Sequence, residues 1–348
     1  MVNLACGLRD RGHIVEMFIY FPQEAFFRPI IDQAKIPVHE TVKGRGFSLK
    51  VLRCLMRLLR TRRYDAAISF LNTPNIYCEL AKLASPRIRL IVSERSSNAL
   101  DRLPALALAR RLLHLLANNV VTNSVTHGNW LRRLPWMRER TKTIYNGFSM
   151  HHPPLDRKVS GGQSNARYLV IGRVDPGKNG LQLIKALIAF REKHGRSPLI
   201  SWAGRREDNR ESREYVKRME ALLDQHPDIA ANWVWLGERD DIPELLAAHD
   251  ALLHPSLYEG LPNVICEAFI AGCPVIASNV CDHPLLVGSN LRGLLFDPLS
   301  VESICNAIER FGNLNEIERA NMSKNARRYA EEHLTIEQMV TAYESLLR

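Results

Sequence analysis

The feature that most constrains this chain is an alternation. Short runs of β-branched, aliphatic or aromatic residues recur along it, and the stretches between them carry helical periodicity. The pattern predicts strands at 13–20, 66–70, 89–94, 119–124 and 141–146. A second set is predicted at 167–173, 199–204, 232–237, 251–256, 274–279 and 293–297. Strands alternating with helices call for parallel sheets built from right-handed βαβ units, because a parallel neighbour is reached only by a crossover. The stretch from Phe148 to Ala166 carries His151-His152-Pro153-Pro154 and Ser160-Gly161-Gly162 and reads as a linker between the two sets. No Cys or further His stands at ligand spacing from its His pair, so no metal site is expected there.

Composition and charge agree with two domains. The 348 residues correspond to roughly two domains at about 150 residues each. With 46% hydrophobic and 24% charged residues, the chain is neither disordered nor collagen-like nor a disulfide scaffold. The net charge of +10 is unevenly placed. Residues 1–160 carry 26 Lys and Arg against 11 Asp and Glu, whereas residues 161–348 carry 21 against 26. Seven cysteines without a C-x-x-C pair read as buried, reduced thiols. No apolar run is long enough to span a bilayer, and the first residues do not read as a signal peptide.

Polar or glycine-containing clusters follow many of the expected strands. They include Ser93-Glu94-Arg95, Thr122-Asn123-Ser124, Tyr145-Asn146-Gly147, Gly172-Arg173, Ala203-Gly204, Gly237-Glu238 and Pro255-Ser256. In an open parallel sheet, ligands bind outside the carboxyl ends of the strands. Two such sheets facing each other would put these clusters on the walls of one cleft.

Two segments carry chemistry. Gly172-Arg173-Val174-Asp175-Pro176-Gly177-Lys178-Asn179 follows a strand and precedes a helix expected over 180–191. Its form is G-x-x-x-x-G-K, one residue short of a phosphate-binding P-loop, because Asn179 stands where a Ser or Thr would ligate magnesium. Three readings stay open: a P-loop with an incomplete metal site, a solvated turn, or Arg173 and Lys178 gripping a diphosphate without a metal. In the second segment, Glu259 and Glu267 stand eight apart. Glu259 lies in a Gly/Pro loop after a strand, and Glu267 lies in the first turns of the following helix. A helix N-terminus favours anions. Phosphates are therefore expected near Asn263 and Val264, with Glu267 accepting hydrogen bonds from sugar hydroxyls.

With these residues in view, the chain resembles the retaining GT-B glycosyltransferases of the large E-x7-E family. The resemblance runs through Leu4-Ala5…Arg11-Gly12-His13, Asn123-Ser124, Tyr145-Asn146-Gly147, Gly172-Arg173…Lys178, Ala203-Gly204, Leu236-Gly237 and, most specifically, Pro255 to Ile276. It implies an α/β GT-B fold, with two Rossmann-like parallel-sheet domains facing a cleft. It places an acceptor-side domain at 1–150, a linker at 151–166, a donor domain at 167–330 and a carboxy-terminal helix at 331–348 packing back on the first domain. The implied reaction is retaining transfer from a nucleotide-diphosphate sugar, most often a UDP-sugar, to a lipid-linked or polysaccharide acceptor. Neither a metal nor another cofactor is implied.

Residue by residue, Arg173 and Lys178 would hold the diphosphate, Glu267 the ribose and Glu259 the donor-sugar hydroxyls. Gly172, Gly204, Leu261, Pro262, Asn263 and Val264 would line the sugar-phosphate site, and the segment from Gly237 to Ile242 would border the base. Asn123, Ser124 and Asn146 fall on the acceptor side. Many members carry a His just after the strand matching 89–94. Here Glu94 and Arg95 stand instead, either serving the acceptor or forming a structural ion pair. Members also place a strand and a glycine-rich loop before the helix matching Leu4 to Gly12, so the first domain is expected to lack its first strand as given.

The other functional signal is a basic face. Eight cations and no acid occur between Thr41 and Tyr64. Lys50, Arg53, Arg57 and Arg60 recur at helical spacing opposite Leu52, Leu55, Met56 and Leu59, which marks a basic amphipathic helix. Such a helix suits either simple packing with solvated cations or an anionic membrane surface. The resemblance and the lack of an aromatic RNA-binding motif favour a peripheral protein at the cytoplasmic membrane face over a nucleic-acid binder.

Overall fold

The computed structural model describes residues 1–24, 26–95, 104–150, 166–288 and 291–348. These fall into two compact units. One comprises residues 1–148 with 334–348, and the other residues 149–333. Most of the expected linker, including His151 and His152, lies outside the described residues.

The first unit contains strands β1 (Met17–Ile19), β2 (Val38–Glu40), β3 (Ala66–Phe70), β4 (Arg89–Glu94), β5 (Asn119–Thr122) and β6 (Thr141–Thr143). All pairings are parallel. β1 pairs only with β2, while β3, β4, β5 and β6 form a separate sheet in that order. β2 escaped the sequence pattern because three residues are too few to show alternation. The helix Ile336–Ser345 packs against the opening helix Val2–Asp10 and shares a core of Leu4, Leu8, Ile91, Val121, Val340 and Tyr343. Gly7 permits this approach, since a Cβ there would sit 2.4 Å from a Val340 methyl. Arg11 and His13 both pair with Glu344. The chain changes units at Leu334 rather than at residue 331. There the helix Glu316–His333 ends and Thr335 opens a new helix through a capping box with Gln338.

The second unit contains β7 (Arg167–Ile171), β8 (Leu199–Ala203), β9 (Trp233–Gly237), β10 (Ala251–His254), β11 (Val275–Ser278) and β12 (Gly293–Phe296). They form one parallel sheet in the order β12-β11-β10-β7-β8-β9. Apart from the edge strand β9, its strands are buried almost throughout, as a sheet covered on both faces requires. Tyr168, Val170, Trp202, Ile276 and Phe296 of the sheet pack with Leu183, Leu187 and Phe311 of flanking helices. The helix Gly180–His194 turns its apolar positions inward and stops at Gly195, whose φ of 70° gives a left-handed cap. The strand order reverses between β7 and β10. That reversal is the one place where two adjacent strands send their connections to opposite sides, leaving a crevice at their carboxyl ends.

Candidate donor site

The crevice at the β7/β10 reversal is lined by the two segments singled out in the sequence. The loop from Gly172 to Lys178 leaves β7, and the loop from Pro255 to Pro262 leaves β10. A backbone hydrogen bond from Leu257 to the Gly177 carbonyl (2.8 Å) joins them. Lys178 Nζ and Glu259 carboxylate Oε1 then form an ion pair across the crevice. These residues are 81 apart in sequence, and only the sheet order brings them together.

Glycines let the backbones approach here. The amide of Gly172 donates to the Ala203 carbonyl (2.9 Å) and that of Gly204 to the Gly237 carbonyl (2.7 Å), so the ends of β7, β8 and β9 lie side by side. A Cβ on Gly204 would fall 1.9 Å from the Gly172 carbonyl oxygen, and one on Gly172 would press on the Lys178 side chain at 3.0 Å. Trp202 Nε1 donates to the same Gly172 carbonyl at 2.8 Å. Arg173 is 60% exposed and only loosely held, 3.6 Å from Asp175 and 3.4 Å from Glu207. A cation on such a tether is available to a ligand.

Asn179 bears on the P-loop alternative. It is buried, takes the left-handed conformation (φ 58°), and donates its side-chain amide to the Pro298 carbonyl at 2.8 Å. The residue in the magnesium-ligand position is therefore turned into the fold.

Behind Glu259 lie two histidines that sequence reasoning missed, His254 and His283. Both are buried, with ring centroids 5.2 Å apart. His254 Nε2 is 3.2 Å from Glu259 Oε1. Burial lowers His254 and brings His283 down to about 4, so both are neutral near pH 7. Burial works to raise the Glu259 carboxyl as well. His254 and Lys178 outweigh it and hold that group well below the usual carboxylate range. The only sequence signal for His254 was a polar residue closing an otherwise apolar strand.

Glu267 is in the opposite state. It lies in the helix Asn263–Ile270, whose other residues are mostly buried apolar side chains. Burial alone pushes its carboxyl up to about 7. Among the described residues no cation pairs with it. Leu261 and Pro262 are buried under the loop, and Asn263 is exposed at the start of the helix. Gly237 ends β9 in a left-handed conformation (φ 67°), and Ile242 opens the next helix behind an Arg239–Asp241 ion pair.

The residues expected on the acceptor side belong to the first unit. Glu94 is fully buried and makes the structural ion pair that the sequence left open, with Arg110, His114 and His127 as partners. Arg95 bonds to Asn146 and, at 3.3 Å, to the Tyr343 hydroxyl, and its guanidinium lies 4.6 Å over the Phe70 ring. Ser124 caps a helix by accepting the His127 amide at 3.2 Å, and Asn123 is buried beside it. Lys50, Arg53, Arg57 and Arg60 lie along the exposed side of the helix Leu49–Arg62, whose Val51, Leu55 and Leu59 are buried.

Two units built on parallel α/β sheets, the second with an exposed arginine and a Lys–Glu pair at its strand-order reversal, fit the GT-B architecture. Comparison with known proteins agrees. The family described as "Glycosyl transferases group 1" matches residues 155–329, and "Glycosyltransferase Family 4" matches residues 1–151. The chain belongs to the group 1 glycosyltransferases. It is 25% identical over 302 residues to an N-acetyl-D-galactosaminyltransferase of Campylobacter jejuni named for an undecaprenol-diphosphate-linked acceptor, covering 85% of this chain and 79% of that protein. It is 29% identical over 159 residues to the lipopolysaccharide glucosyltransferase WaaG of Escherichia coli, covering 45% of this chain and 40% of WaaG. In fold it is similar to Anabaena HepE, solved in complex with UDP. The TM-score is 0.82 at 21% identity, covering 99% of this chain and 94% of that one.

Proposed function

We propose that this glycosyltransferase moves a hexosyl or N-acetylhexosaminyl group from a UDP-sugar to a lipid-linked or polysaccharide acceptor, with retention of anomeric configuration. The observation that carries the donor half is the pairing of Lys178 with Glu259 at the strand-order reversal, with the uncompensated carboxyl of Glu267 in the helix that follows. In this reading Arg173 and Lys178 take the charge of the diphosphate as it departs. That electrostatic task is the main one in such a transfer. No metal is invoked, because Asn179 is committed to Pro298. Glu259 holds sugar hydroxyls and Glu267 the ribose diol, while Gly172, Gly204 and the backbone from Leu261 to Val264 line the sugar-phosphate channel. The acceptor half is supported by relatives named for lipid-linked and lipopolysaccharide substrates.

We also infer a peripheral position on the cytoplasmic membrane face. No helix among the described residues is long and apolar enough to cross a membrane. The cations of the helix Leu49–Arg62 stand beside the exposed Phe47 and Leu49, a pairing suited to an anionic bilayer surface rather than to a nucleic acid.

The experiment is transfer from UDP-glucose, UDP-galactose and UDP-N-acetylglucosamine, read as UDP release with and without acceptor. Lys178→Ala and Glu259→Ala should each lower the rate by about a hundredfold or more, the scale of losing a charge-stabilising group. Unchanged rates would overturn the site.

A further inference from the structure

The first unit carries a charge chain that the donor chemistry does not use. Glu79, on the helix Asn72–Lys82, and Glu94, at the end of β4, are both fully buried. His114 bridges them, with Nδ1 on Glu79 Oε1 and Nε2 2.9 Å from Glu94 Oε1. Arg110 adds a contact to the same Glu94 oxygen at 3.1 Å. Carboxylates only accept, so both ring nitrogens of His114 donate and the ring is an imidazolium. Burial works against that charge, but the two glutamates outweigh it and bring His114 up to about 9. The remaining Glu94 oxygen, Oε2, takes His127 Nε2 at 2.9 Å.

His127 is where this buried chain meets solvent. Its side chain is 19% exposed, against 4% or less for Glu79, Glu94, Arg110 and His114. With Nε2 donating to Glu94, the matching tautomer presents Nδ1 as an acceptor. One helical turn on, Trp130 is 40% exposed. Its ring lies nearly parallel to the imidazole, at 17° and 5.9 Å, and is backed by the Arg111 guanidinium at 4.2 Å. The pair stands beyond the carboxyl ends of β4 and β5, the ligand side of a parallel sheet.

We propose that His127 and Trp130 form an acceptor-sugar subsite, with His127 Nδ1 accepting a pyranose hydroxyl and the Trp130 face stacking on the ring. Glu94 is then a positioning residue acting through His127. An acceptor-only nitrogen beside an exposed indole is the complement of a sugar, which offers hydroxyl donors on its edge and C–H groups on its face. This inference rests on the sugar-transfer reading above.

The test uses the full chain, a UDP-sugar that wild type hydrolyses, and p-nitrophenyl glycosides of glucose, galactose and N-acetylglucosamine as acceptor probes. His127→Ala and Trp130→Ala should raise the acceptor KM about tenfold, the scale of one lost hydrogen bond or stacking contact. UDP release without acceptor should stay near wild type in both, while His127→Ala lowers the melting temperature by taking a partner from buried Glu94. His127→Gln, which keeps an acceptor oxygen, and Trp130→Phe should each recover part of the loss. Acceptor kinetics unchanged in both alanine variants would overturn the subsite. A panel that neither accepts sugar nor shifts the His127 ring signals in NMR would overturn it as well. A wild-type chain that neither binds nor hydrolyses any UDP-sugar would instead sink the underlying transferase reading.

Discussion

At the scale of single residues, the two glutamates of the E-x7-E segment are held in different electrostatic settings. Glu259 is ionised and neutralised by Lys178, so a diphosphate sugar entering the crevice competes for a cation already in place. Among the described residues Glu267 has no such partner, and burial pushes its carboxyl up to about 7. In the proposed role its carboxylate form is the better acceptor for ribose hydroxyls, and that form becomes dominant as pH rises through this value. UDP-glucose affinity measured calorimetrically should therefore increase from about pH 6 to about pH 8, while Glu267→Gln should flatten the profile. The stability consequence has the opposite sign. The folded pKa lies above the ordinary 4.5, so the native state is favoured below 4.5 and loses stability as pH rises through about 7. Glu267→Gln should raise the melting temperature more at about pH 8 than at about pH 5. An equal gain at both pH values would show that burial does not hold the group protonated.

At the scale of elements, the site depends on three strand ends lying closer than side chains allow. A Cβ at Gly204 would meet a backbone oxygen, which cannot rotate away, and the φ of 156° is itself unfavourable for other residues. Gly204→Ala should cost about 2 kcal/mol or more in urea unfolding and reduce donor binding with it. A neutral substitution would mean that β7 and β8 can separate at their ends. These elements were largely legible in the sequence. The runs at 66–70 and 89–94 fold as β3 and β4 without change, 13–20 shortens to Met17–Ile19 and 141–146 to Thr141–Thr143, and the others lose only flanking Gly, Pro or polar residues. The site was legible where a local motif carried it, as at Lys178, Glu259 and Glu267. It was not legible where partners meet only through topology. His254, His283, His114 and His127 are single histidines in unremarkable stretches, and their significance comes from carboxylates 5 to 35 residues away or from one another. The Glu94 cluster is the clearest case. The sequence left an acceptor contact and a structural ion pair both open, and the strand turns the carboxylate inward onto residues of later helical segments.

At the scale of the whole molecule, charge is unevenly placed along the chain. The first 160 residues hold all of the excess cations, and residues 161–348 carry an excess of acid. Four of those cations share one exposed helix face. At about 1 kcal/mol each near an anionic surface, replacing Lys50, Arg53, Arg57 and Arg60 together by Gln should weaken binding to phosphatidylglycerol vesicles by up to roughly a thousandfold. Binding to phosphatidylcholine vesicles should change little, and added salt should mimic the substitution. Equal wild-type binding to both lipids would remove the membrane from the account.

The central claim is that the crevice at the β7/β10 reversal binds a nucleotide-diphosphate sugar through Lys178 and its neighbours without a metal ion. The most direct measurement is calorimetric titration of UDP-glucose, UDP-galactose and UDP-N-acetylglucosamine into the wild-type chain and Lys178→Ala in the presence of EDTA. The account predicts saturable one-to-one binding of at least one donor to wild type, weakened at least tenfold by the substitution, as expected for loss of a charged hydrogen bond. Wild-type binding that vanishes in EDTA, or that is the same in Lys178→Ala, would contradict it.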